Sequence, residues 1–253
     1  MLNKIFTLFV LAVFHFTGFA QQTFLDRGKI FYERRISQLA LQDLLMERND
    51  GFSSIFVEEM KKQFPKVISD EYILEFDSQQ SYYHAGVENT NNKYILTDFK
   101  PNETEFIHQQ LDKNIAISKM NLFEKTYLTS DSLKKLNWKI SGETREIAGF
   151  ECKKAIATIL DSVVVVAFYT DEITPSTGPL GFNGLPGTIL GFAIPRLYLT
   201  LFATKVERMD TPIKVRYKPA EKFSSKKTAV ADLKKVEMSG RWKDMMMLQI
   251  ELK

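Results

Sequence analysis

Residues 150–170 read FECKKAIATILDSVVVVAFYT, and the fold follows from how this stretch is read. Four valines run consecutively from Val163 to Val166. Branching at Cβ crowds a helix but suits a pleated sheet. Phe150–Leu160 forms a second strand-like run, and Asp161-Ser162 supplies a turn between the two. The stretch therefore predicts an antiparallel hairpin. Ala148-Gly149 is a further turn just upstream.

The pattern extends toward the N-terminus. In 137–147, NWKISGETREI, Trp138 and Ile140 point one way, while Lys139, Ser141, Glu143 and Arg145 point the other. That predicts a sheet with one buried and one wet face. FEKTYLTS (123–130), TEFIHQQ (104–110), KYILTDF (93–99) and SYYHAG (81–86) continue the series, separated by turn residues. Tyr72, Leu74 and Phe76 alternate with Ile73, Glu75 and Asp77. FLDRGKIFYERRI (24–36) reads as a first strand, with Ile30, Tyr32 and Ile36 on one side. Arg34 falls on that same apolar side. Between these strands, 38–64 has helical spacing through Leu41, Leu44, Leu45, Phe52, Ile55, Phe56, Met60 and Phe64. Asn49-Asp50-Gly51 interrupts it and Pro65 ends it.

Downstream, 185–203 reads LPGTILGFAIPRLYLTLFA. Pro195 and Arg196 near its centre argue against a membrane helix. Two buried strands, 188–194 and 196–206, with a bend at Pro195, fit better. Residues 224–240 have helical spacing at Val230, Leu233 and Val236. The expected fold class is α+β and β-dominated. It is a curved antiparallel sheet or half-open β-barrel, with helices at about 38–64 and near the C-terminus packed on it.

The first twenty residues carry Lys4, an apolar run from Ile5 to Phe16, and small residues at Gly18 and Ala20. This is the pattern of a secretory signal peptide cleaved after Ala20. It predicts an exported chain, periplasmic or secreted, with 21–253 as a single domain and no integral membrane span after cleavage. Cys152 is the lone cysteine, so no intramolecular disulfide can form. Net charge is +3, yet 214–253 alone carries 11 Lys/Arg against 5 Asp/Glu. A basic tail of this kind suits an acidic partner or lipid headgroups. The excess is too modest to point to nucleic acid.

Residues 178–187 read GPLGFNGLPG, with Gly178, Gly181, Gly184 and Gly187 at every third position and Pro179, Leu185 and Pro186 among them. Such a stretch cannot be helix or central strand; it predicts a defined loop. Gly184-Leu185-Pro186-Gly187, followed by Ile189-Leu190, resembles the segment for which the GLPGLI family is named, with Thr188 in place of the second leucine. Trp138-Lys139-Ile140, Gly149-Phe150, Cys152 and Lys154-Ala155 resemble that family's upstream block. Phe168-Tyr169-Thr170, Glu172-Ile173 and Ser176-Thr177-Gly178-Pro179 resemble its central block, so the likeness spans about 122–206. The resemblance implies an exported protein of the Gram-negative envelope with no assigned catalytic residue. Its strand-rich core resembles half-open barrels that carry lipids or lipoproteins.

No catalytic, cofactor or metal constellation stands out. His84 and His108 have no metal-ligand spacing, either could pair with Cys152 only through the fold, and Asp171 and Glu172 are adjacent on a strand and so point apart. Trp138, Phe150, Phe168, Phe182, Phe192 and Phe202 could line an apolar cavity or fill a core. The functional expectation is a non-enzymatic module that binds an apolar ligand or lipid. The alternatives are an accessory protein for an outer-membrane machine and an enzyme whose site is not visible.

Overall fold

In a computed structural model, residues 24–39, 58–59, 62–94, 100–122, 125–217, 222–237 and 240–252 are described. The leader expected at 1–20 lies outside them, as do most of the helix expected at 38–64 and most of the strand expected at 93–99.

Among the described residues, eleven strands form one antiparallel sheet: β1 (Gly28–Ser37), β2 (Val67–Phe76), β3 (Gln80–Ala85), β4 (Phe106–Gln110), β5 (Ile115–Leu122), β6 (Lys125–Ser132), β7 (Lys139–Ile147), β8 (Phe150–Ile159), β9 (Val163–Thr170), β10 (Thr188–Ile194) and β11 (Leu199–Arg208). Their order is β6-β5-β4-β3-β2-β1-β11-β10-β9-β8-β7, so the sheet does not close. Helices α1 (Lys226–Lys235) and α2 (Gly240–Leu252) follow. The β-dominated, open antiparallel architecture agrees with the sequence pattern. None of the described helices is long and apolar enough to cross a membrane.

The hairpins have local causes. Ala148 and Gly149 both take positive φ, 51° and 85°, between the paired residues Ile147 and Phe150. Two positive φ values in a two-residue loop match the twist of the flanking strands. The β8–β9 hairpin pairs Ile159 with Val163, and Leu160 and Asp161 make its left-handed turn. One end of the sheet curls back on itself. Arg145 of β7 lies 4.7 Å from the ring of Phe202 on β11. In a flat sheet those strands would stand roughly four spacings of ~4.8 Å apart.

The main core holds Ile30, Tyr32, Ile36, Leu74, Phe182 and Phe192, none more than 2% exposed. A second cluster joins Met120, Leu122 and Tyr127 of β5 and β6 to Ala229, Leu233, Met246 and Ile250 of the helices. The other face of that half-sheet carries Tyr82, Phe106, Ile117 and Leu128, capped by Ile213 and Tyr217.

Three local expectations need correction. Strand β7 is not half-buried: Ile140 is 53% exposed, and of the strand only Ile147 is buried, because β7 is the sheet's edge. β5 was not anticipated, since IAISKMNL mixes polar and apolar residues on both faces, each of which is covered. The bend at Pro195 is a short 3-10 turn, Pro195–Leu197, so β11 starts at Leu199 rather than Arg196.

Candidate functional site

Strands β1, β2 and β3 carry an unusual row of polar side chains on the buried face. Residues paired directly across a sheet share a face, so Arg34 stands beside Asp70, and Tyr72 beside Tyr32. Arg34 Nη2 donates to Asp70 Oδ2 at 2.7 Å. The other Asp70 oxygen accepts from Asn92 Nδ2 at 2.8 Å and from the Tyr94 hydroxyl. The Arg34 guanidinium lies 4.7 Å from the centre of the Tyr72 ring, which stacks on Tyr83 at 5.2 Å and 12°. Burial works against the Arg34 cation, but Tyr72 and Asp70 outweigh it and raise its pKa. Burial also lifts the Tyr72 and Tyr83 phenols, Tyr83 far above its ordinary range, so both stay protonated.

Three of these groups line a cavity of about 70 Å³. Arg34, Tyr72 and Tyr83 form one wall, with Glu105 and Ile107 beside them. Leu180, Leu197 and Leu199 supply an apolar wall, and α2 adds Gln249 and Leu252. Among the described residues that line it, Glu105 is the one carboxylate, and its Oε1 accepts the Asn121 N–H at 2.7 Å. Roughly 10–15 Å³ of such free space is enough for one water, so the cavity has room for a small group.

Lys134 holds two sides of the cavity together. Its ammonium donates to the Leu180 carbonyl at 2.8 Å and the Leu252 carbonyl at 2.6 Å, over the Phe182 ring at 4.6 Å. Burial lowers its pKa well below that of an ordinary lysine.

The glycine- and proline-rich loop is built into the fold by close backbone contacts. Gly187 has φ 135°, and a Cβ there would sit 2.0 Å from the Thr170 carbonyl oxygen. Gly184 has φ 90°, and its N–H donates to Ser176 Oγ at 2.8 Å. Trp138 Nε1 donates to the Asn183 carbonyl at 2.9 Å, and the Gly181 carbonyl accepts from Gln109 Nε2 at 2.9 Å. Pro179 and Leu185 are buried, as is Gly178, whose absent Cβ leaves room for Ile189. Pro186 is exposed. Thr188 is fully buried and donates to the Pro175 carbonyl at 2.6 Å, which a leucine could not do.

The aromatic residues singled out from sequence do not meet at the cavity. Phe182 and Phe192 pack in the main core with ring centres 4.3 Å apart. Trp138 meets Phe182 edge-on at 6.5 Å. Phe168 and Phe202 lie under Arg145, and Phe150 is half-buried at the start of β8. The groups that do line the cavity had one sequence signal, Arg34 on an apolar strand face.

Of the other candidates, His84 is on the cavity lining, whereas Cys152, Asp171, Glu172 and His108 are not. Burial pushes the Cys152 thiol up to about 12, and its Sγ faces the Phe150 carbonyl. Asp171 forms an exposed ion pair with Lys153 at 2.7 Å, which lowers its pKa. Glu172 lies beyond the end of β9, where its carbonyl accepts from Leu25 N–H at 2.9 Å. His108 sits between the Tyr217 hydroxyl and Gln80 Oε1, and burial pulls its pKa down to about 4. Among the described residues, no three His, Cys, Asp or Glu side chains could hold a metal ion.

No curated protein was found to match the chain. Among solved structures, it is similar to PNGF-II in a P21 crystal form, with 17% identity over 74% of this chain and 29% of that one and a TM-score of 0.47. The C2 form of PNGF-II gives 15% identity over 88% of this chain and 33% of that one, with a TM-score of 0.46. The chain thus spans about a third of the length of those structures. The family profile that matches is described as the N-glycanase peptide, N-terminal domain, and it covers residues 57–230.

That match overturns the GLPGLI assignment, and with it the expectation of a non-enzymatic envelope module for lipid or an accessory protein. The motif misled for a physical reason. Gly187 and its neighbours record a loop pressed against backbone, which says how the chain turns and nothing about what it acts on. The match runs from the approach to β2 through β11 and into α1, well over half of the chain, and the chain belongs to the family of N-glycanase N-terminal domains.

Proposed function

We propose that the chain works in N-glycanase catalysis, the hydrolysis that detaches an N-linked glycan from its peptide, as the N-terminal domain of that enzyme. The observation that carries this is the family match over 57–230. The cavity supports it chemically. Amide hydrolysis needs donors for the carbonyl oxygen and a base for water. Among the described residues that line the cavity, Tyr83, Gln249 and Arg34 bring donors, and Glu105 and the neutral imidazole of His84 are the groups that could act as base. Glycoproteins of this kind are exported, and the leader ending at Ala20 would bring the chain to them; N-terminal sequencing of the exported protein should begin at Gln21.

The test is to incubate the full chain with an N-glycosylated peptide and follow both products by mass spectrometry. The glycan should leave, and Glu105→Gln should slow its release by roughly 10²–10⁴-fold, the usual weight of a general base. Failure of the wild-type chain to release any glycan overturns the reading.

A further inference from the structure

Tyr82 stands across from His108, and His84 across from Phe106, so these four residues of β3 and β4 share one face of the sheet. All four are buried. Their cover is the chain that follows β11. Residues 209–217 cross this face as a strap, with Ile213 buried and the Tyr217 ring stacked on Phe106 at 5.4 Å and 14°. Among the described residues, no backbone-to-backbone hydrogen bond holds 211–217 in place. A polar tie runs instead from the Tyr217 hydroxyl to His108 Nδ1 at 2.9 Å.

Both histidines are neutral near pH 7. His108 Nε2 donates to Gln80 Oε1 at 2.8 Å, which leaves Nδ1 to accept from Tyr217 and to take an added proton. His84 Nδ1 donates to the Ala85 carbonyl at 2.6 Å, and its Nε2 is buried with no partner among the described residues. Burial lowers the pKa of both, that of His108 to about 4. The charges around them do not offset a new cation. Asp77 and Lys113 face His108 with one charge of each sign. Glu75 and Lys29 face His84 as an ion pair at 3.1 Å, and Arg216 of the strap adds a further cation there.

We propose that residues 209–217 form an acid-released strap: proton uptake at His84 and His108 lifts it from β3 and β4 and uncovers the aromatic face, while the rest of the sheet stays folded. Lifting the strap returns the charged imidazoles to water and parts His84 from Arg216, so each proton favours the open form. Above about pH 6.5 neither form gains a proton and the strap stays down; it opens progressively toward pH 4. For His108 alone, a free value of ~6.5 against about 4 shifts the balance toward the open strap by about 100-fold at pH 4.

The experiment follows cutting of the full chain by papain at pH 7 and pH 4, with the free 209–217 peptide correcting for the protease's own pH dependence. Cutting inside a strap that opens and closes quickly tracks its open population. The ratio of chain to peptide rate within 209–217 should rise about 100-fold at pH 4, with β8 and β9 left uncut. An unchanged ratio overturns the inference, and so does cutting of β8 and β9 at the same rate, since the whole sheet would then be opening. His84→Asn with His108→Gln keeps a donor for the Ala85 carbonyl and for Gln80 but cannot take up a proton, so its ratio should be equal at the two pH values. A rise that persists in the folded double variant overturns the inference. Tyr217→Phe keeps the stacked ring and loses the tie to His108, so cutting at pH 7 should increase roughly fivefold. No increase there overturns the inference as well.

Discussion

The Gly-Pro loop and the polar cavity lie on the same sheet, share Leu180, and treat buried polar groups in opposite ways. Around the loop no buried side-chain donor among the described residues lacks a partner. Thr177 Oγ1 bonds Ser81 Oγ at 2.7 Å and Gln109 Oε1 at 3.0 Å, Gln109 bonds the Gly181 carbonyl, and Trp138 bonds the Asn183 carbonyl. Around the cavity a charged pair is buried, and the Tyr83 hydroxyl, His84 Nε2 and Gln249 Nε2 are buried with no partner among the described residues. A satisfied network fixes a shape. The difference separates a structural motif from the candidate site.

Substitutions can break or sharpen that contrast. The largest effect is expected at the loop. Gly187→Val places a Cβ against the Thr170 carbonyl at a φ that branched residues avoid, and should cost more than about 4 kcal/mol, or prevent folding, in denaturant titrations. Arg34→Met comes next, because it leaves Asp70 charged and buried beside Tyr94 and Asn92. A loss of about 3–4 kcal/mol is expected, largely restored when Asp70→Asn is added. If the double change restores nothing, the pair is not what Arg34 supports.

Acid should act at His108, and also at His84 on the cavity wall, whose pKa burial lowers as well; the larger shift is at His108. Its folded pKa of about 4 lies below the unfolded value of ~6.5, so the unfolded chain binds the extra proton between them. Its contribution is therefore complete above about pH 6.5 and falls as pH drops toward 4, by up to about 3 kcal/mol. His108→Gln should flatten that part of the stability profile. The smallest effect sharpens the comparison most. Tyr83→Phe removes a hydroxyl that no described residue answers, so stability should change by less than about 1 kcal/mol, or rise. A loss above 2 kcal/mol would show that the hydroxyl is already satisfied.

The hairpin of residues 150–170 was legible because its signal is local: a valine run between turn residues. β10 was legible for the same reason, and Thr188–Ile194 has the expected bounds. The burial of β7 was misjudged because alternation tells which side chains share a face but not whether a neighbour covers it. The cavity was hidden more deeply. Arg34, Tyr83, Glu105 and Gln249 have no common spacing, and only the pairing of β1 with β2 and β2 with β3, together with the return of α2, brings them together. Arg34 among Ile30, Tyr32 and Ile36 was the visible trace. A charge on an apolar strand face weakens the strand pattern and at the same time marks a position that the fold has to compensate.

The strand order sets the timing of assembly. β1–β6 and β7–β11 are two separate up-and-down runs, each joined strand to strand in sequence, and they meet only where β1 pairs with β11. On the ribosome, each run can form as it emerges, but β1 must wait for nearly the whole chain before its second edge is covered. Closing so long a loop is slow, and an uncovered edge invites pairing with another chain. Joining the two runs is the expected rate-limiting step of folding, and β1, which carries Arg34, is the strand most exposed to misassembly until that step is complete.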